Sequence, residues 1–157
     1  ITILLVLRYY YSLNIKRIET FQNYSNSDEI FLDKCFSRKE TNNFKKYHKI
    51  TNVIKTKNGM VFATPSKYIE GLPQISLNGI YLNNMCVDPK ARNKGIGTQL
   101  VLYVINAAKK AGKDHIILHV LKDNIPAIKI YQKLGFRKYM EGMNQDGKLT
   151  IIYVLYL

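Results

Sequence analysis

The spacing of apolar and polar residues changes period several times along the chain, and each change marks an element. From Ile1 to Phe21, β-branched and aromatic residues crowd together, which predicts one or two strands. Within that segment Ile1 to Leu7 is wholly apolar but far short of the ~20 residues a membrane-spanning helix needs, so it reads as a buried strand. Ser27-Asp28-Glu29 places a capping hydroxyl and first-turn acids ahead of Ile30, Phe31, Cys35 and Phe36, a helix start. A polar helix or loop runs on to about His48. Val53 to Lys57 and Met60 to Thr64 flank the turn dipeptide Asn58-Gly59 and predict a hairpin, with Pro65 bending or freeing the second strand. A further extended run, Gly79 to Val87, stops at Asp88-Pro89, where the residue before proline is biased away from helix.

The period then becomes helical. Leu100, Val101, Val104, Ile105, Ala108 and Ala111 recur on one face between Gly95 and Gly112. Ile116 to Leu121 is a short, almost wholly apolar run of the kind found in a central strand. Asn124 opens a second helix with Pro126 in its first turn, Ala127, Ile130, Tyr131 and Leu134 on one side, and Gly135 at its end. Phe136 to Glu141 and Leu149 to Tyr156 close the chain as paired strands around Asn144 to Gly147. The order of strands, helix, strand, helix, strands predicts a mixed α/β sheet with helices packed on it. No repeat or linker divides residues 1–157, and their number suits one domain.

Composition narrows the functional classes. An apolar fraction of 46% supports a packed core. A formal charge of +13 attracts acidic partners such as phosphate-bearing ligands and repels cationic ones. The lysines are spread along the chain instead of forming a block with interleaved aromatics, which argues against nucleic acid as the partner. Cys35 and Cys86 lie in unrelated contexts, with neither metal-ligand spacing nor a disulfide framework, and favour a reducing, intracellular and cytoplasmic setting without metal or membrane. As a nucleophile Cys86 lacks an activating histidine nearby in sequence and reads as a small buried hydrophobe.

The chemistry concentrates in Arg92-Asn93-Lys94-Gly95-Ile96-Gly97-Thr98, which joins a strand to a helix through two glycines. Free N–H groups in a helix's first turn bind phosphate oxygens, glycines admit the ligand to the backbone, and Arg92 and Lys94 add charge. A structural turn has the same pattern. The segment lacks the lysine of an ATP-binding loop and the third glycine of a dinucleotide fingerprint.

Arg92-x-x-Gly95-x-Gly97 resembles the pyrophosphate-binding signature of the GCN5-related N-acetyltransferase (GNAT) superfamily. Asn124-x-x-Ala127-x-x-x-Tyr131-x-x-x-Gly135-Phe136 is similar to its second motif, with Leu118-His119-Val120 between them in the place of a family strand. The resemblance spans about Met85 to Lys138, and from Leu118 to Phe136 it is to the protein N-terminal acetyltransferases. It implies the GNAT fold, a mixed central sheet with helices on both faces, and an enzyme that moves the acetyl group of acetyl-CoA to a primary amine. The amides from Arg92 to Thr98 would hold the pyrophosphate. The main chain of Met85, Cys86 and Val87 would hold the pantetheine arm and acetyl carbonyl, and Asn124, with Ala127 in the same motif, would hold the arm from the other side.

For the leaving thiolate the resemblance offers Tyr131, whose phenol has a reference pKa of about 10; the alternative is a core aromatic beside Ile130 and Leu134. The base is harder to place, because Asn83 and Asn84 stand where many relatives carry a carboxylate. His119 occupies the place of a catalytic Glu or His in some N-terminal acetyltransferases, and the alternative is a core imidazole bonded to a carbonyl. His48 and His115 read as surface residues. The expected acceptor is a peptide N-terminus or a small-molecule amine such as an amino sugar, an amino-sugar phosphate or an amino acid. The other class is a non-catalytic CoA-binding or nucleic-acid-binding module on the same fold. No feature bears on oligomeric state.

Overall fold

A computed structural model of the chain describes residues 19–22, 26–37, 50–73 and 75–157. The strand expected at Ile1 to Leu7 and most of the polar stretch to His48, His48 included, lie outside the described residues. The elements are β1 (Glu19–Gln22), α1 (Asn26–Leu32), β2 (Asn52–Thr56), β3 (Gly59–Pro65), β4 (Gly79–Val87), α2 (Ile96–Lys110), β5 (His115–Leu121), α3 (Ile125–Lys133), β6 (Arg137–Met143) and β7 (Leu149–Tyr156). They form a seven-stranded sheet in the order β1-β2-β3-β4-β5-β7-β6. Every neighbouring pair is antiparallel except β4 and β5, which α2 connects as a crossover.

Alternation along the strands sorts the core into two faces. Ile54, Val61, Leu82, Ile116, Leu118 and Tyr153 pack with α2 and α3 on one side. Val53, Met60, Phe62 and Cys86 pack against Leu32, Phe31 and Phe36 at α1 on the other. Beside them, Ile117, Ile152 and Val154 are covered by Leu72 and Ile75 from the loop before β4. Helices therefore lie on both faces, as expected. Among the described residues no helix is long and apolar enough to cross a membrane.

Four expectations need correction. The two-residue turn between β2 and β3 is Lys57-Asn58, because Thr56 faces Gly59 across the ladder. Gly59 is needed for another reason: a Cβ there would lie 2.8 Å from Ile96 Cγ2 and 3.1 Å from Leu100 Cδ1, so its missing side chain admits the first turns of α2. Ile30 points to solvent, while Phe31 and Leu32 do the packing. His115 is buried at the start of β5, where Ser76 Oγ lies 3.4 Å from its Nδ1 and 2.9 Å from Asp114 Oδ2.

The fourth concerns the cysteines. Cys35, just after α1, is disulfide-bonded to Cys86 on β4, a contact between distant segments that sequence spacing does not display. The argument for a reducing compartment from unpaired cysteines lapses with it. The same end of α1 is tied by Lys34 Nζ to Asp88 Oδ2 at 2.7 Å, and its beginning by Lys55 Nζ to the buried Asp28 Oδ1 at 2.8 Å. The Lys34 hydrogen bond, then the Lys90 N–H, holds the Asp88 carboxyl below its ordinary range.

Gly59→Ala should lower stability by about 1 to 3 kcal/mol, the usual cost of overpacking. Chemical denaturation of parent and variant measures it. An unchanged midpoint would mean that α2 does not rest on the hairpin tip as described.

Candidate active site

The parallel pair β4–β5 is held together over only three register positions, Gly79 with His115, Ile80 with Ile116 and Tyr81 with Ile117. Beyond them the strands part. β4 stays paired with β3 on its other edge up to Val87, and β5 with β7 up to Leu121, so the edges facing the gap have no ladder partner in the middle of the sheet. A bulge accentuates the parting, because Asn83 opposes Phe62 and Cys86 opposes Met60, leaving Asn84 and Met85 against Val61. Asn84 adopts φ 54°, a left-handed conformation that asparagine tolerates better than most residues.

At the end of β4 the chain is shaped for an anion. Asp88 caps the turn Pro89–Ala91 by accepting from the Lys90 N–H at 3.0 Å, and Arg92 Nε donates to the Val87 carbonyl at 3.3 Å. Asn93 at φ 62° and Gly95 at φ 77° then curl the backbone into α2. The first bond of that helix runs from the Gln99 N–H to the Gly95 oxygen, so the amides of Ile96, Gly97 and Thr98 precede the ladder. No side chain caps them. Gly97 is buried, and a Cβ there would lie 3.1 Å from Ile130 Cδ1 and 3.5 Å from Met85 Sδ. Helix α2, the β4 bulge and α3 thus meet at one point. Lys94 and Arg92 are exposed beside it.

Asn124 opens α3, its Oδ1 accepting from the Ala127 N–H at 3.3 Å. Its oxygen is therefore engaged in the helix, and a contact to a ligand would fall to its amide nitrogen. Ala127 is buried in the core behind it. The Cys86 sulfur is bonded on the α1 face, so only the main chain of that residue serves the gap.

Two titratable side chains approach from opposite faces. Tyr131, buried on the α2–α3 face with Phe136 5.7 Å away between ring centroids, has its phenol pushed well above its ordinary pKa by burial, and further by nearby Tyr81. It holds its proton at any physiological pH. His119 is the exposed member of a largely buried strand and its side chain makes no hydrogen bond among the described residues, which removes the core-imidazole explanation. Partial loss of water around the ring pulls its pKa below the usual histidine value, so at neutral pH the imidazole is uncharged. Tyr81 bears on both: its ring lies edge-on to His119 at 5.9 Å, and electrostatic repulsion between the two phenols opposes ionisation of Tyr131. Asn83, by contrast, is spoken for, as Thr64 Oγ1 donates to its Oδ1 at 3.4 Å and Thr51 Oγ1 lies 2.8 Å from Thr64 Oγ1.

Tyr81 and the conformation of Asn84 are the site features that sequence reasoning missed. Tyr81 was legible as a strand residue, but its partnership with His119 follows from the β4–β5 register alone. Asn84 gives no signal in sequence, because bulges arise from how two strands align.

Comparison with known proteins agrees with this geometry. The model of the acetyltransferase (GNAT) family matches residues 19–136. GCN5-related N-acetyltransferase 6, chloroplastic, of Arabidopsis thaliana is 35% identical over 57 residues, 36% of this chain and 20% of its own length. N-alpha-acetyltransferase 30 of Xenopus laevis is 37% identical over 71 residues, 41% of this chain and 26% of its own. The chain thus matches about a fifth to a quarter of these relatives' length. A Bacillus subtilis acetyltransferase crystallised with CoA superposes with a TM-score of 0.68 at 22% identity, over 90% of this chain and 98% of that one. With the family model covering residues 19–136, most of the sequence, the chain belongs to the acetyltransferase (GNAT) family, and its fold superposes on that of the Bacillus subtilis acetyltransferase over 90% of its length.

Proposed function

We propose that the protein, acting as a single domain over residues 1–157, transfers the acetyl group of acetyl-CoA to a primary amine by direct attack. The observation that carries this reading is the uncapped start of α2 set against the unpaired edge of β4. A pyrophosphate suits the first, being an acceptor of N–H bonds favoured by the helix dipole, and an amide-bearing pantetheine arm suits the second, because it pairs with strand backbone as another strand would. Acetyl-CoA supplies the activated acetyl group. The amides from Arg92 to Thr98, with the charges of Arg92 and Lys94, hold its phosphates, and the main chain of Met85, Cys86 and Val87 and the amide of Asn124 orient its arm.

Proton traffic follows from the two perturbed groups. His119, kept neutral, takes a proton from the amine directly or through one water. Tyr131, kept protonated, hydrogen-bonds and protonates the sulfur as it leaves. Their opposite shifts suit opposite roles. The net charge of +13 disfavours a polycationic acceptor, and a peptide N-terminus or an amino sugar fits the field better. A non-catalytic CoA-binding module would bind CoA without releasing thiol from acetyl-CoA in the presence of pooled amines, so that assay separates the two.

Lys94→Glu should weaken CoA binding about 10-fold while leaving the fold intact, because it reverses an exposed charge at the phosphates. This variant is cleaner than Gly97→Glu, whose side chain would also strike Ile130 and Met85. Equal calorimetric affinities for parent and Lys94→Glu would move the phosphates elsewhere.

Tyr131→Phe should retain cofactor affinity and lose about 10²-fold in turnover. Single-turnover kinetics make the comparison, and an unaltered rate would take Tyr131 out of the reaction.

For His119 the sign is set by its lowered pKa: the neutral, competent form prevails above that pKa, and activity falls as pH drops through it. His119→Gln should lose activity chiefly near neutrality and recover part of it at high pH, where more of the amine is free. Superimposable pH-rate profiles for parent and variant would leave the proton to water or to the substrate.

A further inference from the structure

The β4 bulge carries two departures from ordinary backbone chemistry at one residue. Asn84 sits in the left-handed region at φ 54°, and its side-chain Nδ2 is shut off from solvent with no hydrogen-bond partner among the described residues. Each is unfavourable alone, since a buried donor without an acceptor forfeits its hydration and a non-glycine residue at positive φ is strained. Neighbouring Asn83 shows the ordinary outcome for an asparagine here, its oxygen accepting from Thr64. The bulge lies where β4 leaves β5, between the loop before α2 and the paired apex at Tyr81, so the unpaired donor belongs to the stretch of β4 that β5 does not pair.

We infer that the Asn84 side-chain amide is a cofactor-contacting group, donating from Nδ2 to a carbonyl oxygen on the acyl-pantetheine arm of acetyl-CoA. The inference rests on the proposed function and deepens it, adding a side chain to a contact otherwise made by main chain. Two oxygens of the same chemistry are available, the thioester carbonyl and a pantetheine amide carbonyl. They differ in consequence. A bond to the thioester oxygen strengthens as that oxygen gains charge and acts on turnover. A bond to an amide carbonyl is the same throughout and acts on binding alone.

Asn84→Gly is the informative change, because glycine accepts φ 54° without strain and removes the donor. Asn84→Asp is its companion, keeping the shape while turning the donor into an acceptor. Calorimetric affinities for CoA and for acetyl-CoA, initial-rate kinetics and the melting temperature of the free protein are measured for parent and both variants. The inference expects Asn84→Gly to melt no lower than the parent, since it deletes an unpaired donor, yet to lose about 3- to 10-fold with acetyl-CoA. Asn84→Asp should lose more. Loss with acetyl-CoA but not CoA, together with a lower kcat, assigns the thioester oxygen; equal loss with both ligands and an unchanged kcat assigns a pantetheine amide. Unchanged affinities and rates in Asn84→Gly overturn the inference and leave the proposed function standing, and a lower melting temperature with unchanged affinity marks Asn84 as purely structural. Failure of the parent itself to bind either ligand overturns the proposed function and the inference together.

Discussion

Everything at the site depends on how briefly β4 and β5 touch. A parallel pair inside a sheet ordinarily satisfies the backbone groups of both strands along their whole length, and leaving them unsatisfied in a protein interior is costly. Here the ladder stops after Tyr81 and Ile117 while each strand remains anchored on its outer side, to β3 and to β7. The sheet is thus opened from within without being weakened at its edges. The opening has main-chain donors and acceptors along its walls and the uncapped start of α2 at its mouth.

The two perturbed side chains lie on different faces of the sheet. Tyr131 belongs to the layer of α2 and α3, where burial raises its pKa by penalising the anion. His119 belongs to the opposite face, where desolvation penalises the cation and lowers its pKa. One physical cause, loss of water, shifts the two in opposite directions and keeps both uncharged at neutral pH, Tyr131 protonated and His119 unprotonated. Tyr81, at the last paired position of β4, touches His119 edge-on and disfavours ionisation of Tyr131 electrostatically.

Long-period features were legible in the sequence and close-contact features were not. The α2 pattern from Leu100 to Ala108, the capped start of α3 at Asn124 and the extent of β4 all follow from local spacing and capping chemistry, and the structure places them within a residue or so. The Cys35–Cys86 bond, burial of His115 and the true reason for Gly59 depend on segments that meet only after folding. The hairpin shows the boundary between the two kinds of knowledge: Asn58-Gly59 signalled a turn and a turn is there, one residue earlier, because Gly59 is occupied with admitting a helix. Likewise Asn84 stands in the sequence only as an asparagine where many relatives carry a carboxylate, and its left-handed backbone conformation is encoded by no local pattern.

The apex of the opening is itself set by a single absent methyl group. A Cβ at Gly79 would fall 2.2 Å from Nε2 of the buried His115 ring and 2.6 Å from Ser66 Oγ, so the two strands start as close as they do because nothing projects from position 79. At the usual strand rise roughly 25 Å of chain separates this contact from Val87 at the phosphate end. Positions 79 and 115 therefore form one choice: a larger residue at the first calls for a smaller ring at the second if β4 and β5 are to start as close together as they do.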